Sequence, residues 1–241
     1  MAKETSQLCI TGGEPTLDFP GLLRIVHSTR DNLPKTSLHM LSNGRLFHHW
    51  EYAKAIASLS HPDFVIGIPL YSDLPSQHDY VVQSTGAFDE TVEGLLNLAK
   101  YKQPIEIRFV IHRETVPRMV ATAKFITRNL PFVSHVALMG LEPTGFARTN
   151  FKALWIDPWA YRQELDETVQ VLKQARIRTS IYNHQLCILP ESIWPLATRS
   201  ISDWKNVYLE TCDECSVKSR CAGFFSSHRN NYSNHICPIS S

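Results

Sequence analysis

No stretch of this sequence stays apolar for the roughly 20 residues that a helix needs to cross a bilayer, so nothing in it reads as a membrane span. The opening residues, MAKETSQ, lack the apolar core of a secretory leader. There is no excess of charge of either sign: 24 Lys and Arg stand against 23 Asp and Glu, a formal net charge of +1. That balance gives no field to gather nucleic acid or an anionic membrane. Glycine is scarce, 10 residues in 241, and no Gly/Ser linker or low-complexity run divides the chain. Cysteine is nearly missing before residue 187: of six, only Cys9 lies earlier. These absences leave a cytoplasmic globular protein, with neither nucleic acid nor membrane as partner, as the expectation. A hydrophobic share of 43% and a charged share of 20% suit an ordinary core. The length suits one α/β domain with a small appendage.

What is present is an alternation. Short apolar runs at 7–11, 37–42, 64–70, 105–111 and 135–140 read as strands. Between and after them, 15–29, 49–59, 88–100, 116–129 and 159–175 carry helical spacing, with Val92, Leu95, Leu96 and Ala99 on one face. Five βα units with helical crossovers imply parallel strands covered by helices. The strands are too few for a full barrel, so a partial (β/α) barrel or open parallel sheet is expected. Its site belongs at the C-terminal strand ends. Residues 178–189 read as one more strand and an extended run, 190–202 as a short helix, and 73–79 (DLPSQHD) as a solvated loop. The expected division is 1–177 for the barrel and 178–241 for an appendage.

Two constellations carry chemistry. Gly12-Gly13-Glu14-Pro15 joins a strand to a helix. Paired glycines let a ligand approach the main chain, whose carbonyls can accept from an ammonium, and Glu14 adds a carboxylate for charge-assisted bonding. Such a turn suits the amino end of an amino acid. Ser42 and Asn43 end the next strand on the same side, and Arg108 could pair with a ligand carboxylate or form a structural ion pair. His112, Arg113, Glu142 and Arg148 follow later strands at the same end. The second constellation is Cys212-x2-Cys215-x5-Cys221, in which a tight turn brings two thiolates to one centre and a third closes from the next loop. Cys187 and Cys237 compete as the fourth ligand. All-thiolate ligation fits Zn²⁺ or an iron–sulfur cluster, and spacing does not separate them.

The string ITGGEPTL (10–17) resembles the second-strand signature of radical SAM enzymes. LSNGR (41–45) resembles their third-strand end, and LEPTGFARTN (141–150) their sixth-strand loop. The string SISDWKNVYLETCDECSVKSRCAGFF (200–225) is similar to the maturases of the His-Xaa-Ser system, as the C-type partner. The resemblance implies a partial barrel of radical SAM type, with S-adenosylmethionine held by Gly12, Gly13, Glu14 and Pro15 and lined by Ser42 and Asn43. It implies an auxiliary [4Fe-4S] cluster in the tail. A cysteine in the family's YNxxLCxLP stretch matches residues 182–190 and favours Cys187 beside Cys212, Cys215 and Cys221. The implied substrate is a ribosomally made peptide with His-Xaa-Ser repeats, modified after hydrogen-atom abstraction.

The sequence departs from the family at one place. It holds no C-x3-C-x2-C, the motif whose thiolates ligate the catalytic cluster. The chain is therefore expected to lack the first strand and cluster loop, as a truncated or split member inactive alone, and Cys9 is expected to be a small core residue. A second radical SAM protein, or a separate N-terminal fragment pairing with the 7–11 edge, are the expected partners. The rival expectation is a non-catalytic peptide- or partner-binding module whose tail holds a structural Zn²⁺.

Overall fold

A computed structural model describes residues 5–199, 206–228 and 231–240. The apolar runs become β1 (Gln7–Ile10), β2 (Ser37–Leu41), β3 (Phe64–Pro69), β4 (Ile105–Ile111), β5 (His135–Gly140), β6 (Arg178–Tyr182) and β7 (Ala197–Thr198). They form one seven-stranded sheet in sequential order, and β1/β2, β2/β3, β3/β4 and β6/β7 pair in parallel. Sequential parallel order is what βα units with a helix on each return produce. A separate antiparallel pair joins β8 (Asn206–Val207) to β9 (Phe224–Phe225) in the tail. The chain divides into two units, residues 1–108 with 129–135, and residues 109–128 with 136–241.

The first unit carries four helices, α1 (Phe19–Asn32), α2 (Trp50–Ser58), α3 (Pro75–Val82) and α4 (Ala87–Lys100). α1 begins where Asp18 accepts a hydrogen bond from Gly21 N–H at 3.0 Å, an N-cap that ends the preceding 3₁₀ turn Pro15–Asp18. It buries Phe19, Leu22 and Val26, while α4 buries Phe88, Leu95 and Leu98. Leu38, Met40, Ile66, Ile68, Ile105 and Ile107 supply the strands' share of the core. The second unit holds α5 (Met119–Asn129, but for its last residue), α6 (Gly145–Thr149), α7 (Phe151–Leu154) and α8 (Arg162–Gln174). α8 buries Leu165, Val169 and Leu172.

Four expectations change. The loop expected at 73–79 is largely helix α3. Pro75 occupies its first turn, His78 is buried with its Nδ1 accepting from Tyr71 N–H at 3.3 Å, and Asp79 accepts from Gly86 and Phe88 N–H. Its polar sequence hides one core anchor and one cap. Cys9 is exposed, because β1 is the outermost strand of the sheet and Cys9 lies on its uncovered face. The run after β6 is turned, not extended: Asn183 takes a left-handed φ of 63°, and hydrogen bonds close from Ile188 to Gln185 and from Leu189 to Leu186. The helix expected at 190–202 is a 3₁₀ segment, Glu191–Leu196, leading into β7, and its last residues lie outside the described ones, as does the start of the 200–225 string.

α4 also backs the end of β2. A Cβ on Gly94 would stand 2.4 Å from Gly44 O, so the helix lies against the turn that follows Ser42 and Asn43. Thr91 Oγ1 donates to Asn43 O, and Asn97 Nδ2 donates to Phe47 O and His48 O. Arg45 pairs with Glu90 and donates to Ser84 Oγ. Gly94→Ala is expected to lower stability by about 1–3 kcal/mol through overpacking against a backbone oxygen. Leu96→Ala, at an exposed position of the same helix, is expected to stay within about 0.5 kcal/mol. Urea unfolding of both variants checks the contrast.

Candidate functional site

The glycine turn lies at the C-terminal end of β1. A Cβ at Gly12 or Gly13 would meet nothing within 4 Å, so the space over the turn is open. Neither glycine forms a hydrogen bond among the described residues. Glu14 makes its bonds within the chain. Its Oε1 accepts from Thr16 N–H at 3.1 Å, from Thr16 Oγ1 at 2.8 Å and from Ser42 Oγ at 2.8 Å, and its Oε2 accepts from Asn43 N–H at 2.7 Å. The carboxylate is spent on joining the β1 turn to the end of β2. Charge-assisted bonds of this kind are the strong ones.

Ser42 is buried and shares in the brace: its hydroxyl donates to Glu14 and accepts from Gly44 N–H at 3.0 Å. Asn43 is exposed. Its Oδ1 accepts from Arg45 N–H, and its Nδ2 has no partner among the described residues. Pro15 opens the 3₁₀ turn after Glu14. The structure thus brings Gly12, Gly13, Glu14, Pro15, Ser42 and Asn43 together. Its open groups are the main chain of the two glycines and the Asn43 amide.

Arg108 forms the ion pair. Its Nη1 donates to Glu106 Oε1 at 2.9 Å, two residues back on the same strand and therefore on the same face. His135 Nδ1 lies 2.7 Å from Glu106 Oε2 and His39 Nε2 3.5 Å from Oε1. Gly67 makes this possible: a Cβ there would come within 3.1 Å of both His39 Nε2 and the Arg108 side chain. Burial on its own would push the Glu106 carboxyl up. The hydrogen bond from His135 and the nearby His39 and Arg108 outweigh it and hold the group well below the usual carboxylate range.

In the second unit, Cys187, Cys212, Cys215, Cys221 and Cys237 all line one cavity, whose exposed lining is apolar. Cys215 N–H donates to Cys212 O at 3.2 Å, the tight turn that the C-x2-C spacing predicts. Two sulfurs accept main-chain hydrogen bonds: Gly223 N–H donates to Cys221 Sγ and Ile239 N–H to Cys215 Sγ, both at 3.4 Å. Burial pushes the Cys187 thiol up to about 11, against the hydrogen bond from Cys237, and the neighbouring Cys221, Cys237 and Cys212 add to the rise. Among the described residues, no three His, Cys, Asp or Glu side chains are grouped so as to hold a metal ion. The donor set still suits one: five soft sulfurs, an apolar lining and N–H dipoles aimed at the charge a thiolate would carry.

A neighbouring cleft escaped the sequence reading. Gly140, Tyr161, Asn183, Gln185, Phe224 and Tyr232 help line it, and Gln185, Gly223 and Phe224 border the cysteine cavity as well. Asn183 Nδ2 donates to Gly140 O at 3.0 Å, and Gln185 Nε2 to Gly223 O at 2.7 Å. Beneath it Tyr161 Oη and His184 Nε2 are 2.8 Å apart, both buried. The signal was Asn183 and His184 directly after a strand, at the end where sites gather.

No known protein family matches the sequence, and no curated protein does. Solved structures match in fold. A domain of the pyruvate-formate lyase-activating enzyme from Bacteroides vulgatus ATCC 8482 is 13% identical with a TM-score of 0.56, over 72% of this chain and 97% of that one. Native anSMEcpe with bound AdoMet and Cp18Cys peptide is 16% identical with a TM-score of 0.50, over 72% of this chain. The same protein with AdoMet and Kp18Cys peptide is 16% identical at 0.50, over 73% of this chain. This chain spans about half the length of anSMEcpe, 50% and 49% in the two structures. The shared class is α/β, a partial (β/α) barrel. No helix among the described residues is long and apolar enough to cross a membrane.

Glu106→Gln checks the buried network. Because the folded-state pKa of Glu106 is depressed, its stabilisation is complete above the unfolded value of about 4.3 and is lost as pH falls toward the folded one. The variant is expected to be about 3 kcal/mol less stable at pH 7. The gap should narrow below about pH 4, read by denaturant unfolding across pH.

Proposed function

We propose that this chain is the body of a radical SAM peptide maturase. It would bind S-adenosylmethionine at Gly12, Gly13, Glu14 and Pro15, and a ribosomally made peptide with His-Xaa-Ser repeats at the strand ends. The observation that carries the reading is the turn itself: two glycines with open space above them, held by a carboxylate whose own bonding is complete. The glycine carbonyls would accept from the ligand's ammonium, and the Asn43 amide would donate to its carboxylate or ribose. Ser42 acts here as a brace behind Asn43. Arg108, paired with Glu106, would add positive potential for the carboxylate. S-adenosylmethionine, when bound and reduced by one electron, supplies the hydrogen-abstracting chemistry. A fold shared with a protein captured with both AdoMet and a peptide supports the choice of cofactor and partner.

The tail, residues 178–241 in this reading, holds an auxiliary [4Fe-4S] cluster on Cys187, Cys212, Cys215 and Cys221. Two of these sulfurs, Cys215 and Cys221, accept main-chain hydrogen bonds, and such bonds stabilise and tune thiolate ligands. Cys237 is exposed while Cys187 is half-buried, which favours Cys187 as the fourth ligand. The sequence contains no C-x3-C-x2-C, so turnover needs that motif from another segment or chain, the second radical SAM protein of such a system being the candidate.

Anaerobic reconstitution with iron and sulfide tests this directly. About four irons and four sulfides per chain are expected, as one cubane requires. Cys187→Ser should lose them and Cys237→Ser should keep them. Zinc without sulfide would favour a structural binding module instead, and near eight irons would contradict a single cluster.

A further inference from the structure

The roomiest cleft described in the second unit belongs to neither the glycine turn nor the cysteine cavity. It offers about 920 Å³ of room beside α6 and α7, with Ser226, Ser227 and Asn231 on its other wall. Arg148 and Lys152 line it, four residues apart across the break between the two short helices, and no acidic side chain does. Both cations are exposed, and neither has an ion-pair partner among the described residues. Ser227 lines the same cleft with a buried hydroxyl that has no hydrogen-bond partner among the described residues. Buried polar atoms without partners are rare and call for an explanation, a ligand among them. Phe146, two residues before Arg148 on α6, does not itself line the cleft and stands 90% exposed.

The wall is anchored. Phe151 stacks on Trp155 with ring centroids 5.9 Å apart, Arg113 N–H donates to Leu154 O at 2.7 Å, and the Arg113 guanidinium donates to Trp155 O. A fixed wall costs a partner little ordering on binding.

We infer that this cleft docks an acidic peptide segment carrying an apolar side chain. Two cations without an ion-pair partner among the described residues, in a cleft whose described lining holds no acid, select negative charge. The room is too large for a single inorganic anion, which would also leave Phe146 unused. The chain's net charge of +1 offers no broad field for nucleic acid. Carboxylates would meet Arg148 and Lys152, a main-chain or hydroxyl donor would meet Ser227 Oγ, and an apolar side chain would cover Phe146. The inference shares with the proposed function only the choice of a peptide as partner.

Fluorescence anisotropy on the purified chain tests it, without iron or S-adenosylmethionine, so that failure of the cluster reading leaves the result intact. The probe is a labelled peptide of repeating Glu-Ser with one central Leu, compared with its Lys-for-Glu counterpart and with inorganic phosphate as competitor. The acidic peptide is expected to bind at least about tenfold more tightly than the basic one, with affinity falling as salt rises. Arg148→Glu with Lys152→Glu should weaken it by about tenfold or more. Arg148→Gln with Lys152→Gln should weaken it less, and unfolding midpoints of both pairs should match the parent. Phe146→Ser should weaken binding while leaving the salt dependence unchanged. Equal binding of both peptides, indifference to the double charge reversal, or displacement by phosphate at the peptide's own concentration would each overturn the proposal.

Discussion

One carboxylate sets the geometry on which the proposed site depends. Glu14 takes hydrogen bonds from two groups of Thr16, from Ser42 Oγ and from Asn43 N–H, across 28 or 29 residues in the last two cases. A half-buried carboxylate accepting that many donors resists displacement, since each lost partner would leave charge or a donor unpaired. Because the brace is complete within the chain, Gly12 and Gly13 need nothing from their neighbours, and the space above them stays open. α4 supports the same place from behind, where Gly94 allows the helix to reach Gly44 O.

The same logic recurs twice. Glu106 stays ionised in a buried setting because Arg108, His135 and His39 surround it, and Gly67 gives those side chains room. In the tail, main-chain N–H groups already point at the sulfurs of Cys215 and Cys221. Preorganised dipoles of this kind need no rearrangement when charge arrives. Charge is thus met by local chain geometry in each case.

Much of this was legible in the residues, and the misses have physical causes. Apolar runs such as FVIGIP mark strands, because a strand covered on both faces shows no polar alternation. The C-x2-C turn and the gathering of tail thiols followed from spacing. α3 did not, because a helix that buries chiefly one residue, His78, has almost no periodic signal. Cys9 was misplaced because an outer strand exposes a face that composition reads as buried. The bonds that Glu14 makes within the chain were not legible, because a carboxylate beside two glycines gives no sign of Ser42, which only the parallel pairing of β1 with β2 brings near. Glu106 and Arg108 stand at i and i+2 on one strand, a same-face pair that strand alternation alone could have given.

The central claim is that the Glu14-braced turn is an open cradle for the amino-acid end of S-adenosylmethionine. Amide NMR on the purified chain, titrated with S-adenosylmethionine and repeated on Glu14→Gln, addresses it most directly. Saturable shifts centred on Gly12, Gly13 and Asn43, weakened by about tenfold in the variant as one brace is lost, are the predicted result. Shifts that leave those three residues untouched, or an affinity unchanged by Glu14→Gln, would contradict it.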